Sequence, residues 1–413
     1  VKKLFYMLLF AEFLFSVPAS FAAEAPTGTE LTIAGVITEV KANNPSLSAA
    51  RRRLGLLEAE VTINSAYPNP SIEAEKSASA DSTGYEVKVT QPIPLTRRAG
   101  KAGAAARAGL EAAKKELEAM ENFTVSAARK TWYTMRIAKE RRNFEETNLK
   151  FSMDILNKIE MRLQTGEAGN SDLARAKVET ARRGYHLSEA DAMLKTAAGE
   201  LNILMGRRPD SPLDTAADGG FSISPVPPAL EPLEKYTALA LVRRAEPLAL
   251  ALSGKAADLV VALEKSRRLP VPELGLIRGS DSGAAYSRLF MGMELPLWYN
   301  NKGEIRKALA QKAALKYEES RLELKIRREV YNAWLELDLA RKRLSAAKET
   351  VFLLNDLRRV AAQNYLSGKL NLTAFYETNR IFLEENISYL DALKEYYEKT
   401  AQMKAAVNSG EEQ

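Results

Sequence analysis

The residues able to do chemistry are few and scattered. Among 413 residues there is one histidine, His186, and no cysteine. A catalytic zinc takes three protein ligands and a hydrolase triad needs its imidazole beside a nucleophile, so His186 alone completes neither. It is expected to be an ordinary surface residue of a helix. Without thiols there are no disulfides, iron–sulfur clusters, thiolate zinc sites, thiol nucleophiles or cysteine-linked lipid anchors. Met291 and Met293 share a strand face and could offer two soft thioethers, but contact with lipid is the better reading of that pair. No Gly-rich phosphate loop, His/Asp/Glu cluster or Ser/His pairing is present. Catalysis is therefore not expected, and neither a cofactor nor a bound metal. Lys plus Arg exceed Asp plus Glu by 59 to 53, an excess too small to demand nucleic acid.

What remains is architecture. The start, VKKLFYMLLFAEFLFSVPASFAAEAP, sets Lys2 and Lys3 before an apolar run from Leu4 to Phe15 and small residues at Ser20 and Ala22. That is the pattern of a secretory signal peptide over residues 1–22, and Glu12 inside the run keeps a retained membrane anchor as the other reading. Downstream there is no run of about 18 apolar residues. An exported chain of this kind either stays soluble outside the cytoplasm or crosses a membrane as β-strands, because only helices and closed barrels satisfy the backbone in lipid.

The chain is one unit written twice. A shift of 202 positions superposes Pro45 on Pro247, Pro68 on Pro270, Pro70 on Pro272, Pro94 on Pro296, Trp132 on Trp334 and Gly166 on Gly368. Residues 23–206 and 233–408 are expected to be two repeats, joined by a Pro/Gly/Asp-rich linker over 207–232 and followed by a short tail, 409–413. Each repeat opens with helix, stopped by a proline pair, and continues into a β-hairpin, 71–95 or 272–297. Tyr85, Val87, Val89, Gln91 and Ile93 alternate with Glu86, Lys88 and Thr90; Leu289, Met291, Met293 and Leu295 alternate with Arg288, Phe290, Gly292 and Glu294. One face of each hairpin is apolar and the other polar.

After Pro94 and Pro296 the period turns helical for roughly 68 residues, or about 100 Å. In the second repeat a heptad seam runs through Ile326, Val330, Ala333, Leu337, Ala340, Leu344, Ala347, Val351, Leu354, Ala361 and Tyr365, broken by Arg358. In the first, Ala128, Met135, Ala138, Leu149, Leu156, Ile159 and Leu163 are interrupted by Arg142, Glu145 and Ser152. That seam must meet something more polar or less tightly packed. Gly166 and Gly368 end these helices and a return helix follows each, giving two αα-hairpins with glycine tips. Trp132 and Trp334, in mid-helix, are expected to anchor packing, and runs such as Lys139 to Arg142 to be solvated faces.

Four short amphipathic strands cannot bury their apolar face or pair their edges. With lipid on the apolar side, closure requires several chains to pool strands. Three chains give twelve, an even number suited to an outer-membrane barrel, although two or four satisfy the same count. A pore continued by long helices reads as a transport duct.

Leu31-Thr32 with Asn44-Pro45, Pro68-Asn69-Pro70, Gln91-Pro92-Ile93-Pro94-Leu95 and Tyr365-Leu366-Ser367-Gly368, in this order and across essentially the whole chain after the leader, resemble the TolC-like outer-membrane efflux proteins. The QPIPL junction and compact length are most similar to the heavy-metal efflux, CzcC-like subgroup. The resemblance implies a mainly α fold with a small β part: a trimeric twelve-stranded β-barrel in the outer membrane continuing into an α-helical barrel in the periplasm. As partners it implies the homotrimer itself, outer-membrane lipid, a periplasmic adaptor (membrane fusion) protein and an inner-membrane efflux pump of the RND type, with the chain a passive duct and no enzyme. It also implies gate residues near the tips, Asp172 and Tyr365, with Glu377 where the family carries a second acid one turn after Ala374; the family arginine after the tip is Leu370 here, with Lys369 and Arg380 nearby. Thr165, Gly166, Ser367 and Gly368 are the implied adaptor-docking tips. The other reading of the same signals is a periplasmic coiled-coil adaptor or scaffold without a pore, against which the repeated amphipathic hairpins argue.

Overall fold

The computed structural model describes residues 32–78, 83–213, 221–281 and 283–408; the expected signal peptide, 1–22, and tail, 409–413, lie outside these. Thr32 caps the first helix, α1 (Ile33–Asn43), by accepting the Gly35 amide at 3.1 Å. Asn44 caps α2 (Pro45–Ser65) by accepting from the amides of Ser46 and Leu47, and Pro45 opens that helix where an amide would have no partner. The hairpin of β1 (Ser71–Ala78) and β2 (Thr83–Pro92) leads to α3 (Arg98–Gln164), and α4 (Asn170–Leu204) runs back. The order then recurs as α5 (Leu233–Arg243), α6 (Ala245–Ser266), β3 (Pro272–Asp281), β4 (Ala284–Met293), α7 (Lys302–Leu366) and α8 (Leu372–Val407). With 67 residues in α3 and 65 in α7, each long helix extends about 100 Å.

Both strands leading into the long helices stop earlier than the alternation suggests, at Pro92 and Met293 rather than 95 and 297. Pro94 and Pro296 have no amide for a ladder, and the chain instead turns through Arg97 and Asn301, both left-handed with φ 51° and 59°. At the far ends, Gly166 and Gly368 have φ 79° and 74°. Around them Gly166 N donates to Leu163 O and Glu167 N to Arg162 O, while Gly368 N donates to Tyr365 O and Lys369 N to Asn364 O. This pair of bonds satisfies the last carbonyls of a helix and requires the left-handed residue that glycine supplies.

The four strands form one antiparallel sheet in the order β1-β2-β3-β4. The central β2–β3 pairing joins the two halves of the chain, and among the described residues β1 and β4 are free edges. Cross-strand rows sort the side chains by face. Ile72, Val89, Leu276 and Leu289 form one row, and Glu73, Lys88, Ile277 and Arg288 the next row on the opposite face. On that polar face Gly279 is registered with Tyr286 and Gly292 lies beside Phe290, so each aromatic takes the space where a Cβ would be.

Below the sheet, α3 packs along α2 and α6, and α6 along α7; further down, α3 packs along α4 and α8, and α8 along α7. The flanks of this helical layer are therefore α2 and α4 on one side and α7 on the other. The main core follows the heptad of α7: Ile326, Val330, Ala333, Leu337, Ala340 and Leu344 are buried against Leu390, Leu393 and Tyr397 of α8. Trp132 is buried with Val36, Val40 and Leu201, and Trp334 donates Nε1 to Glu231 O at 3.1 Å. Residues 221–232 strap this region, with Phe221 beside Trp132 and the Ser222 carbonyl accepting from Tyr397 Oη at 2.8 Å.

A methyl on Gly279 would lie 2.6 Å from the Tyr85 carbonyl and 2.7 Å from the Tyr286 ring. Gly279→Ala is expected to weaken the β2–β3–β4 ladder by about 1–3 kcal/mol, seen as a lower melting temperature of the β signal in circular dichroism, while Gly109→Ala inside α3, which meets nothing, does not lower it.

Candidate functional site: sheet faces, polar seam and helical tips

The two sheet faces differ in what satisfies them. On the polar face Lys88 pairs with Glu73 at 3.3 Å and lies over the Phe290 ring at 4.7 Å. Glu75 stands opposite Glu86, and that like-charge pair is relieved by Arg288 and Tyr286, each bonded to Glu86 at 2.8 Å. On the apolar face no described residue covers the rows: Leu289 is 91% and Met291 76% exposed, with Ile72, Leu274, Leu276 and Met293 exposed beside them. Met291 and Met293 form part of this continuous apolar surface. Among the described residues no helix is long and apolar enough to cross a membrane.

The interrupted seam of α3 does meet polar partners. Ala128, Met135 and Ile159 are fully buried, but so are Arg136, Glu145, Asn148 and Ser152. Arg183 of α4 lies 3.7 Å from Glu145 and 3.1 Å from Glu179, and Ser152 and Thr180 share a hydrogen bond of 3.0 Å. Arg142 turns outward to Asp191 at 2.8 Å and Glu146 at 2.9 Å. Arg358, the break in the α7 heptad, donates to Asn148 at 3.1 Å and is held between the rings of Phe151 and Phe382 at 4.3 and 4.1 Å. Burial without a carboxylate pushes its guanidinium down to about 10. Burial likewise raises the Glu145 carboxyl, more than Arg183, His186 and Arg141 lower it. His186 lies half-exposed on α4, 3.3 Å from Glu189.

At the tips, Tyr365 is buried and stacks on Phe375 with ring centroids 5.2 Å apart, Arg162 lying 5.6 Å over its ring. Burial raises the Tyr365 hydroxyl, with Asp172 adding to the effect and Arg162 opposing it. Asp172 has a local task as well: its carboxylate accepts from Gly169 N at 3.3 Å at the start of α4, where the helix dipole favours an acid. Glu377 stays apart from both, in an exposed ladder with Arg380 at 2.6 Å, which also holds Glu384 at 2.7 Å. Thr165, Gly166, Ser367 and Gly368 are exposed. Between α4 and α8 runs a groove of about 780 Å³ lined by Arg175, Arg183, His186, Tyr376 and Arg380. The sequence pattern flagged Arg358 only as a flaw, and gave no signal for Arg162, Phe375 or Tyr376, whose partners come from other helices.

Residues 36–207 match the family described as outer membrane efflux protein. Among solved structures, the chain superposes on CusC with a TM-score of 0.75 at 15% identity, covering 92% of each chain, and on the Campylobacter jejuni CmeC outer membrane channel at 0.75 and 16%, covering 94% of this chain and 90% of that one. The open state of the Neisseria gonorrhoeae MtrE outer membrane channel gives 0.76 at 17%, covering 92% and 89%. This is the fold of the outer-membrane efflux proteins. A curated relative, outer membrane efflux protein BepC of Brucella suis biovar 1 (strain 1330), is 22% identical over 339 residues, 78% of this chain and 73% of its own. The resemblance carried by the proline and glycine landmarks is borne out, and the efflux-protein fold extends over the second repeat, beyond the residues matched by the family.

Two consequences of the α3 seam are measurable. Arg183→Ala leaves Glu145 buried beside no cation of comparable reach and is expected to destabilise the helical part by about 3–5 kcal/mol, whereas Arg183→Met with Glu145→Leu recovers most of the loss, as read by thermal or denaturant unfolding. The second concerns pH. A carboxyl raised in the folded state binds protons more tightly there, so its contribution to stability falls as pH climbs from the ordinary carboxylate range through the raised value. The stability difference between wild type and Glu145→Gln should therefore shift in favour of wild type as pH drops from neutral into the ordinary carboxylate range; a pH-independent difference contradicts this.

Proposed function

We propose that the chain is the outer-membrane channel of a tripartite efflux system, a passive duct through which an inner-membrane pump of the RND type and a periplasmic adaptor deliver substrates out of the cell. The observation that carries this reading is the sheet: four strands with an uncovered apolar face and two free edges, set on helices about 100 Å long. In lipid the apolar face is satisfied, and the edges close when β4 of one copy pairs with β1 of the next. Three copies then give the twelve-stranded barrel, with the polar face around the lumen and the α-helical barrel reaching into the periplasm.

The helices support a head-to-tail ring. Leu56 and Ile63 on α2, Val178 and Tyr185 on α4, and Tyr317, Leu324 and Tyr331 on α7 are exposed at heptad spacing on the flanks of the helical layer. These side chains are largely exposed among the described residues of one chain, and both sides are apolar, as a heterologous cyclic interface requires. A periplasmic scaffold without a pore would leave the sheet's apolar face in water, which disfavours that alternative.

At the periplasmic end, Asp172, Tyr365 and Glu377 are proposed as gate residues, and Thr165, Gly166, Ser367 and Gly368 as the tips on which the adaptor docks. Tyr365 and Asp172 are electrostatically coupled beside Arg162. Glu377 would act only through its ladder with Arg380.

Fractionation tests the reading directly: the protein should sediment with outer membranes and require detergent for extraction, and release by osmotic shock would reject it. In planar bilayers, Asp172→Ala and Tyr365→Phe are expected to raise single-channel conductance. Unchanged conductance in both variants would remove the gating role.

A further inference from the structure

Both strand-to-helix junctions dock on the C-terminal end of α6. Arg98, the first residue of α3, donates to the carbonyls of Ser266, Arg267 and Leu269, and Asn301, just ahead of α7, donates to the Glu264 carbonyl and carboxylate at 2.8 Å each. These contacts gather Arg97, Arg98, Arg267 and Arg268 into one collar. Glu264 takes Arg267 at 3.0 Å; among the described residues no carboxylate lies within 4.0 Å of Arg97, Arg98 or Arg268. Burial and the neighbouring Arg267 both depress the Arg98 guanidinium, as expected where cations crowd without acids. Arg97 and Arg268 are exposed.

Beside these cations the surface is apolar. Leu95 and Leu297 continue the alternation of the uncovered sheet face past the ends of β2 and β4, and both are exposed, as is Leu269. Trp298 is 98% exposed, an arrangement with no packing rationale within the chain. Tryptophan is enriched where hydrocarbon gives way to headgroups, and arginine matches phosphate oxygens with two parallel N–H donors. In the channel reading, on which this inference rests, the collar sits where the strands leave the hydrocarbon layer on the periplasmic side, at the depth of lipid phosphates.

We propose that this collar is a binding surface for anionic phospholipid headgroups, with Arg97 and Arg268 engaging the phosphate and Trp298 the glycerol boundary. Any phospholipid offers a phosphate, but the arginines lacking a carboxylate favour headgroups with net negative charge over zwitterionic ones.

The chain has three tryptophans, and Trp132 and Trp334 lie more than 30 residues along α3 and α7, about 50 Å from the collar. Quenching by brominated lipid therefore reads Trp298. In full-length protein reconstituted into phosphatidylcholine vesicles, brominated phosphatidylglycerol at low mole fraction should quench more strongly than brominated phosphatidylcholine at the same fraction. Arg97→Gln with Arg268→Gln should bring the two lipids toward parity, losing preference by about fivefold per arginine, while quenching by brominated phosphatidylcholine persists and shows that the variant still occupies the bilayer. Equal quenching by both lipids in the wild type, or a preference unchanged in the double variant, would overturn the proposal and leave the channel reading intact. No quenching by either lipid would place the chain outside the bilayer and remove both.

Discussion

An antiparallel sheet with an apolar face and two unpaired edges cannot be completed by the chain that makes it. Within one chain, β1 and β4 present unused amides and carbonyls, and Leu289 and Met291 stand almost fully exposed. In water this surface invites uncontrolled pairing, and in lipid each unpaired backbone group costs several kcal/mol. Only an environment that supplies both hydrocarbon and neighbouring strands removes both penalties. The remaining features are consistent with that demand: the polar face is internally satisfied by Glu73–Lys88 and Glu86–Arg288 pairs, and the flanking helices carry exposed apolar residues at heptad spacing.

The two helical hairpins meet their neighbours by different physics. The second is held by a heptad of buried aliphatic residues, whose strength comes from area removed from water and is insensitive to pH. The first has buried apolar residues at both ends, but its middle is held through Glu145, Arg183, Ser152, Thr180 and Asn148. Buried ionic contacts of this kind add little net stability over a hydrophobic replacement, while loss of one partner leaves a buried charge uncompensated. Arg358 links the two systems. Its charge, without a carboxylate, is accommodated by two aromatic faces and one amide oxygen drawn from both α3 and α8. Near the tips the same mixture recurs, where Tyr365 of α7 is covered by Arg162 of α3 and Phe375 of α8.

Features set by local rules were legible in the sequence. The glycines at 166 and 368 were readable as tips because a helix ending in that hydrogen-bond pattern needs a left-handed residue, and the alternation of Tyr85, Val87 and Val89 was readable because strand side chains repeat every two residues. Strand ends were less so, since alternation continues in sequence to Leu95 and Leu297 although Pro94 and Pro296 have already ended the ladder. The interrupted seam of α3 signalled a polar interface without naming its partners, because Arg183 and Arg358 lie on other helices and nothing local points to them. Asp172 shows the converse. The family resemblance offered it as a gate candidate, and only the structure shows that it also caps α4 at Gly169 and raises the Tyr365 hydroxyl.

The central claim is that neighbouring copies complete one another's sheet edge to edge. Because the chain has no cysteine of its own, cysteine pairs scanned along β1 and β4 of the membrane-embedded protein, then oxidised and resolved by denaturing electrophoresis, report that contact without background. The account predicts that a subset of pairs, spaced at the two-residue period of a strand, links chains covalently into a ladder that ends at three. Absence of any cross-link between β4 and β1 of different copies, or a ladder that ends at two or continues past three, would contradict it.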